Sequence, residues 1–205
     1  MSEAKIARIG IIGGMGPEAG IALLAKVVAA ERVARDQDHL PAVLDSDPTI
    51  PDRTAFLQGR GPDPLPAMIA AGRRLAACGV TVGGVGCMTA HAFLEGLRAA
   101  LPFRLLSAFE ELAREVTANH PGARRIGILA TSGSRGAGIF EKHLGGLGFE
   151  CLWPSPEDQD RLVMEAIYGA RGIKAGERGD YPRGLLRKAA GSLAEGRSRL
   201  QVGAF

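Results

Sequence analysis

A cysteine and a histidine four residues apart are the first residues in this sequence that could carry chemistry. Cys87 follows an apolar, glycine-rich run that predicts a strand, and His91 lies one turn further along if a helix has begun. Amide dipoles at the end of a strand stabilise a thiolate, the form of cysteine that acts as a base or nucleophile. A cysteine that only fills space fits the position equally well. His91 is either a polarising partner or a structural imidazole, and the sequence favours the second.

Hydroxyl groups elsewhere in the chain are suited to holding a carboxylate. Four of them lie beside predicted loop amides, on Thr89, Thr131, Ser132 and Ser134. Hydroxyls of this kind bind anions, and they also cap helices in the ordinary way. Both interpretations are compatible, so these positions remain candidates.

Two cations complete the set of candidate ligand-binding residues. Arg53, in a proline-bracketed loop, could offer paired N–H groups to a carboxylate, although a salt bridge to Asp52 or a solvated position is the commoner role. Lys174 lies in a glycine-rich segment and is weak evidence alone. The remaining cysteines, Cys78 and Cys151, are interpreted as packing residues on a helix and a strand. Three cysteines without close spacing indicate neither a disulfide framework nor a metal site.

An internal repeat places an alanine where a second cysteine would be expected. Residues 8–13 recur as residues 125–130, 117 positions later, and the same offset carries Cys87 onto Ala204. Two matching βα units that face each other would make a site with approximate two-fold symmetry. Such a site suits chemistry on both faces of one carbon, but here only one face has a thiol.

The elements that must position these residues alternate between short β-branched runs and longer helix-compatible stretches, which predicts an α/β fold with parallel sheets. Strands are predicted at residues 6–12, 42–44, 80–85, 104–106, 126–129, 149–152 and 200–202. Helices are predicted at residues 17–35, 64–77, 94–100, 108–119, 135–147, 156–170 and 183–195. Ligands of such folds bind beyond the carboxyl ends of the strands. The segments predicted to lie there are 13–16, 87–89, 131–134 and 203–205.

Composition argues against several classes of protein. With 205 residues, 46% of them hydrophobic, the chain can form one large or two small domains. Basic and acidic residues are interspersed, the net charge is +3 and only 5% of residues are aromatic, so a nucleic-acid surface is not expected. No apolar run reaches the roughly 20 residues that cross a membrane. The first residues lead into a strand without a signal-peptide pattern, which predicts a cytoplasmic protein.

A dinucleotide site is the second interpretation of the first glycine-rich loop. Residues 10–16 do not give the usual G-x-G-x-x-G spacing, because Gly10 falls within the predicted strand. Asp45 and Asp47 follow the second strand, where a ribose-binding acid would lie. This interpretation would leave Cys87 and Arg53 without a role.

Six segments in order along the chain carry a resemblance to a known family. They are residues 13–19, 36–39, 50–54, 87–91, 129–134 and 172–176. Together they resemble the aspartate/glutamate racemases, amino-acid racemases that need no cofactor. The resemblance implies two pseudo-symmetric flavodoxin-like or Rossmann-like α/β domains, residues 1–103 and 104–205, with parallel sheets and the active site in the cleft between them.

The resemblance also implies a mechanism and a set of residues. One thiolate removes the α-proton of a small acidic amino acid while a thiol protonates the opposite face, without pyridoxal or a metal. Cys87 would be catalytic. The implied substrate-binding residues are Met15, Gly16, Arg53, Met88, Thr89, Thr131, Gly133, Ser134 and Lys174.

Three departures from the family pattern change what is expected of this chain. Met88 stands where the family has asparagine, Ala204 stands where it has the second cysteine, and the sequence stops at Phe205, before the last helix that in the family returns to the first domain. We therefore expect impaired or one-sided chemistry, and a homodimer that covers apolar surface. Two alternatives remain open: decarboxylation or isomerisation of a dicarboxylate by Cys87 alone, and carboxylate binding without catalysis.

Overall fold

Short apolar and β-branched runs build two parallel sheets in the computed structural model of the protein, which describes residues 7–195 and 201–202. The first sheet, in the order β2-β1-β3-β4, contains β1 (Ile9–Gly13), β2 (Ala42–Ser46), β3 (Val82–Val85) and β4 (Arg104–Leu105). The second sheet, in the order β6-β5-β7, contains β5 (Arg125–Gly127), β6 (Glu150–Leu152) and β7 (Gln201–Val202). Every strand pairing is parallel, so the predicted fold class is confirmed.

Helices connect these strands within two compact units, Met1–Ala108 and Phe109–Phe205. The helices of the first part of the chain are α1 (Pro17–Ala30), α2 (Arg53–Leu57), α3 (Leu65–Ala77), α4 (Leu94–Ala100) and α5 (Ala108–Asn119). Those that follow are α6 (Ser132–Gly136), α7 (Pro156–Asp158), α8 (Glu165–Tyr168) and α9 (Asp180–Glu195). None of the helices in the described ranges has the length and apolar character needed to cross a bilayer. The domain boundary predicted after Phe103 and the predicted cleft stay predictions.

Short turns of other helical types lie between these elements. Turns of 3₁₀ helix form at Asp36–Asp38, Thr89–Phe93 and Ile173–Ala175. Turns of π-helix form at Glu141–Gly145 and Gln159–Met164, and the second of these joins α7 to α8 without a break. Turns of π-helix are rare and are often found at functional sites.

Two predicted helices differ from the observed ones for local reasons. The first ends at Ala30 instead of Arg35, because Glu31 is extended and its carboxylate accepts a hydrogen bond from the amide of Leu40, 2.7 Å away. The helix predicted over residues 135–147 is interrupted at Gly138, whose φ of +59° is left-handed. Such a conformation ends a helix readily at glycine.

Glycines in the first sheet allow neighbouring segments of the chain to approach closely. A Cβ on Gly10 would lie 2.6 Å from a methyl group of Val80, and a Cβ on Gly83 would lie 2.6 Å from the carbonyl oxygen of Gly10. Fully buried side chains from α3 and α4, including Met68, Leu75 and Leu97, fill the core of this unit. The sheet is therefore a tightly packed platform for the loops at its carboxyl edge.

Candidate active site

Three loops leave the carboxyl edge of the first sheet side by side. In the pairing register, Ile12 of β1 lies opposite Asp45 of β2 and Val85 of β3. The amide of Gly86 continues this ladder by donating to the carbonyl of Ile12 over 2.9 Å. The loops that follow β1, β2 and β3 therefore start next to one another, at the edge where a ligand was predicted.

The loop after β1 places Met15 and Gly16 at the start of α1. Gly14 has a φ of +87°, and a Cβ there would overlap the main chain of Asp47, so this position requires glycine. Met15 is 3% exposed, and Gly16 is the N-cap of α1, with Pro17 in the first turn. The role in substrate binding that the resemblance implies for Met15 and Gly16 stays a prediction.

Arg53 is buried, with only 5% of its surface exposed. Its Nη1 donates to the carbonyls of Ile50 (3.1 Å) and Pro51 (2.7 Å), and its Nη2 donates to the carbonyl of Met15 (3.1 Å). Arg53 is thus not the solvated cation that the sequence allowed, and Asp52 caps α2 by accepting from the amide of Ala55 over 2.8 Å. The arginine ties the loop after β2 to the loop after β1.

Cys87 lies at the end of β3, as predicted, after Gly86. Its side chain is partly buried and packs against the hydrophobic cluster that contains Met15. A 3₁₀ turn, Thr89–Phe93, follows with Met88 at its N-cap, and it leads into α4, which begins at Leu94 as predicted. Thr89 is buried, with 6% of its surface exposed, so its side chain does not project into solvent.

A pair of aromatic rings joins the cysteine turn to the helix of Arg53. The ring centroids of Phe56, on α2, and Phe93, on the 3₁₀ turn, are 5.6 Å apart. Aromatic pairs at this separation add to the stability of packed surfaces. Elements that carry Arg53 and Thr89 are therefore packed against each other within the first unit.

His91 is buried, and main-chain groups bind both nitrogens of its ring. Only 4% of the surface of His91 is exposed. Its Nδ1 lies 2.9 Å from the carbonyl oxygen of Cys87, and its Nε2 lies 3.1 Å from the amide nitrogen of Ala108. A backbone amide can only donate, so Nε2 accepts and the proton of the neutral ring lies on Nδ1. This is the structural role that the sequence favoured.

The candidate hydroxyls of the second unit lie together at the start of α6. Thr131 is the N-cap, and its Oγ1 accepts from the amide of Ser134 over 3.2 Å. The hydroxyl oxygens of Thr131 and Ser134 are 3.1 Å apart, and Ser134 is 1% exposed. Gly133 is buried between them. Helix capping therefore accounts for part of this arrangement, as one of the two interpretations proposed.

Lys174 occupies a separate, exposed 3₁₀ turn that ends at Gly176. Its Nζ lies 4.8 Å from the ring centroid of Tyr168, and the φ of Gly176 is +88°. A cation over an aromatic face is attracted by the ring quadrupole. Tyr168 thus holds the Lys174 ammonium on one side.

Gln159 binds the segment that carries the candidate hydroxyls of the second unit, and it was not predicted from the sequence. It is 3% exposed, and its Nε2 donates to the carbonyl of Ala130 over 2.9 Å and to Ser132 Oγ over 3.3 Å. One signal could have found it: Gln159, Val163 and Ala166 share one buried helical stripe, and Gln159 is its polar member. A polar residue on such a stripe needs a partner.

The two acids of the nucleotide interpretation are both bound to one arginine. Arg74 donates from Nε and Nη2 to Asp45, at 2.6 and 2.9 Å, and from Nη2 to Asp47 at 2.9 Å. These bonds raise the pKa of Arg74, and Asp45 contributes most. Asp45 and Asp47 are therefore part of a structural ion cluster beside α3.

Two further expectations concern the other cysteines and the second cysteine position. Cys78 is exposed at the C-cap of α3, so the expectation that it is a packing residue was wrong, because the helix ends before the residue can turn inward. Cys151 is partly buried on β6. Burial, with a smaller contribution from Glu141, raises its pKa to about 11. Ala204 lies outside the described residues.

Comparisons with known proteins agree on one family. A family model described as Asp/Glu/hydantoin racemase matches residues 12–198. The broad specificity amino-acid racemase RacX of Bacillus subtilis is 29% identical over 151 residues, which are 70% of this chain and 63% of RacX, less than two thirds of that relative. An aspartate racemase of Picrophilus torridus superposes with a TM-score of 0.73 at 23% identity, over 93% of this chain and 75% of that one. An aspartate racemase homologue of Pyrococcus horikoshii OT3 gives a TM-score of 0.67 at 20% identity, over 96% and 84%.

Proposed function

Because the chain belongs to the Asp/Glu/hydantoin racemase family, we propose that it exchanges the α-proton of an acidic amino acid, aspartate or glutamate, at Cys87. The same reaction is racemisation when a second group protonates the opposite face of the carbon. The substrate, the cysteine mechanism and its one-sided character are our proposal, and each is tested below.

Arg53 is the observation that carries this proposal. The guanidinium is buried, the three acceptors of its Nη1 and Nη2 are neutral carbonyls, and its Nε has no hydrogen-bond partner among the described residues. A buried cation without an anion is unfavourable, whereas a carboxylate that pairs with it forms strong charge-assisted bonds. An acidic ligand would therefore complete this site.

The position of Cys87 supports its role as the base. It lies at the carboxyl edge of the first sheet, on the strand next to the one whose loop Arg53 binds. In the proposed step the thiolate takes the α-proton, and the electron pair moves into the α-carboxylate. The thiol then exchanges its proton with solvent and returns one to the same face.

The hydrogen-bond donors of Thr131–Ser134 are suited to stabilising the negative charge that moves into the α-carboxylate. Without an electron sink, hydrogen-bond donors must stabilise the charge that develops on the carboxylate. We assign this role to Thr131, Gly133 and Ser134 in the second unit and to Thr89 in the first. Met15, Gly16 and Met88 line the substrate site. Lys174 is the second cation, after Arg53, that pairs with a carboxylate of the substrate.

The alanine at position 204 is the reason to expect one-sided chemistry. By the internal repeat and by the family pattern, Ala204 takes the place of a second thiol. A methyl group cannot transfer a proton, and losing one general acid or base reduces rates by about 10²–10⁴-fold. We therefore propose exchange with retention of configuration, and only slow inversion.

The test is proton NMR in D₂O with L-aspartate, D-aspartate, L-glutamate and D-glutamate, each incubated separately, followed by chiral analysis of the products. We expect the α-proton signal of one enantiomer to disappear while its configuration is retained. Rapid inversion would contradict the one-sided mechanism. No exchange with any substrate would contradict the proposal and favour carboxylate binding or another reaction of a dicarboxylate.

Three variants identify the group responsible. Cys87→Ser should abolish exchange, while Cys78→Ser, at an exposed cysteine, should leave it unchanged. Ala204→Cys should add inversion to exchange if position 204 provides the opposite face. Exchange that survives in Cys87→Ser would exclude the assigned base.

Self-association is a further part of this proposal. Ile21 and Val28 of α1 are 58% and 48% exposed, and apolar surface of this kind favours association. We expect a homodimer at micromolar concentration by light scattering, and a monomer would contradict it. A cytoplasmic location stays a prediction.

A further inference from the structure

We propose that Gln159 and Met164, aligned by the π-helical turn Gln159–Met164, are positioning residues that hold the segment Ala130–Ser134, which comprises the end of the loop before α6 and the first turn of that helix and is called the 130–134 loop below. This inference rests on the proposed function in one respect, the role of that loop in binding the substrate carboxylate. Neither residue was a candidate from the sequence. Both act through the loop and not on the substrate itself.

Both ends of the π-helical turn contact the same short loop. The Nε2 of Gln159 donates to the carbonyl of Ala130 (2.9 Å) and to Ser132 Oγ (3.3 Å). The Sδ of Met164 accepts from the amide of Ser132 over 3.3 Å. The loop is therefore bound through a carbonyl, a hydroxyl and an amide by two residues of one helical segment.

The π-helical turn is what allows these two residues to reach one loop. In an α-helix with 3.6 residues per turn, residues five positions apart point about 140° away from each other. A π-helix bonds residue i to residue i+5, so residues at this spacing lie nearly above one another. Gln159 and Met164 have this spacing and are the first and last residues of the turn. A regular α-helix here would turn one of them away.

The orientation of the Gln159 amide indicates that its donors matter. Its Oε1 is buried and has no hydrogen-bond partner among the described residues. A buried acceptor without a partner is unfavourable, and turning the amide over would place an oxygen against the carbonyl of Ala130. The residue tolerates an unpaired oxygen while its nitrogen holds the loop.

These contacts determine which main-chain amides at the start of α6 already have an acceptor. At the start of α6, the amide of Ser132 is bound by Met164, and the amide of Ser134 is bound by Thr131. The amide of Gly133 lies between these two, in the first turn of the same helix. The contacts of Gln159 and Met164 thus set the direction of the donor that we assign to the substrate.

The experiment compares three variants with a matched control by amide hydrogen exchange and by kinetics. Gln159→Met removes the amide at similar length, Gln159→Glu keeps the acceptors but removes the donors, and Met164→Leu removes the sulfur at similar volume. Asp160→Asn, at the exposed neighbour on the same segment, is the control. Mass spectrometry follows a peptide that covers residues 129–137 and a reference peptide that covers residues 82–93.

We expect both Gln159 variants to increase hydrogen exchange of the loop peptide about tenfold, since a lost buried hydrogen bond changes equilibria by about that factor. Met164→Leu should have a smaller effect, because a thioether is a weak acceptor. The reference peptide and the Asp160→Asn protein should be unchanged. The KM for the substrate should increase about tenfold in the Gln159 variants, which a residue with only a structural role would not cause.

Two outcomes would overturn the inference. Unchanged exchange in the loop peptide of both Gln159 variants would show that the residue does not hold the loop. Faster loop exchange with unchanged KM and kcat would show that the contacts do not serve the substrate. If the parent protein exchanges no α-proton, the proposed function fails, and loop exchange alone then decides whether the two residues position the loop.

Discussion

The Nδ1 of His91 lies 2.9 Å from the carbonyl oxygen of Cys87, while its Nε2 accepts from the amide of Ala108 over 3.1 Å. The imidazole therefore joins the main chain of the candidate base to the residue that begins α5. The bond is made to the carbonyl of Cys87, so it fixes the path of the backbone from which the thiol projects.

Replacing His91 with phenylalanine should destabilise the protein and disturb Cys87. The ring would stay aromatic but leave a partly buried carbonyl and a partly buried amide without their imidazole partner, each worth about 1–3 kcal/mol. We expect the free energy of unfolding in urea to fall by about 2–4 kcal/mol. His120→Phe, at an exposed histidine, is the control. Equal unfolding free energies for the two variants would contradict this role.

Replacing Arg53 with lysine should weaken both binding and folding. A lysine ammonium cannot reproduce the planar fork that reaches Ile50, Pro51 and Met15 together. We expect a loss of about 1.5–3 kcal/mol in the free energy of unfolding, with an increase in the KM for aspartate. Arg73→Lys, at an exposed position on α3, should change neither quantity. A normal KM in Arg53→Lys would remove the basis for the proposed substrate.

Gly14 and Gly59 provide a matched pair for testing the first loop. Both have positive φ, at +87° and +72°, but only Gly14 faces another main-chain segment, at Asp47. Gly59→Ala should cost about 1–2 kcal/mol for the left-handed conformation alone. Gly14→Ala should cost about 2–5 kcal/mol, because steric overlap is added. Equal losses of unfolding free energy would show that the loop relaxes around the added methyl group.

Parts of the sequence were sufficient to predict much of this fold. The bounds of α4 and α5 agree with the prediction, because apolar periodicity and clear stop signals mark both helices. The helix α2 was missed because five residues are too few for a periodic pattern.

No sequence pattern distinguishes a π-helical turn from the α-helix around it, so the alignment of Gln159 with Met164 was also missed. The main-chain acceptors of Arg53 depend on how three separate segments meet, which local residue types do not encode.

The carboxyl of Asp47 should titrate at a lower pH than an ordinary aspartate. Hydrogen bonds from the hydroxyl and the amide of Thr49, at 2.6 and 3.0 Å, lower its pKa, and Arg74 contributes less. A lowered pKa in the folded state adds stability above the ordinary pKa of about 3.9, and this is lost as the pH falls through the folded value. Thr49→Val should raise the pKa, measured by carbon NMR of the carboxyl group. Thr117→Val, on the exposed face of α5, should leave it unchanged.

Cys151 should behave as an unreactive thiol at neutral pH. Its pKa of about 11 reflects burial first and the charge of Glu141 second. Since the folded pKa is raised, the thiol contributes stability that is present below its ordinary pKa of 9.0 and is lost as the pH rises through about 11. The parent should lose more thermal stability over this interval than Cys151→Ala does. Alkylation of Cys151 with a midpoint near pH 9 would contradict the raised pKa.

The carbonyl groups that hold Arg53 have a consequence for how this site can change during evolution. Its three acceptors belong to the backbone of Ile50, Pro51 and Met15, so substitutions at these positions exchange side chains without removing an acceptor. The hydrogen bonds of Arg53 therefore survive substitution of these neighbours as long as the loops keep the same backbone conformation. Among distant relatives, we expect the backbone conformation of these loops to be more similar than their amino-acid sequences.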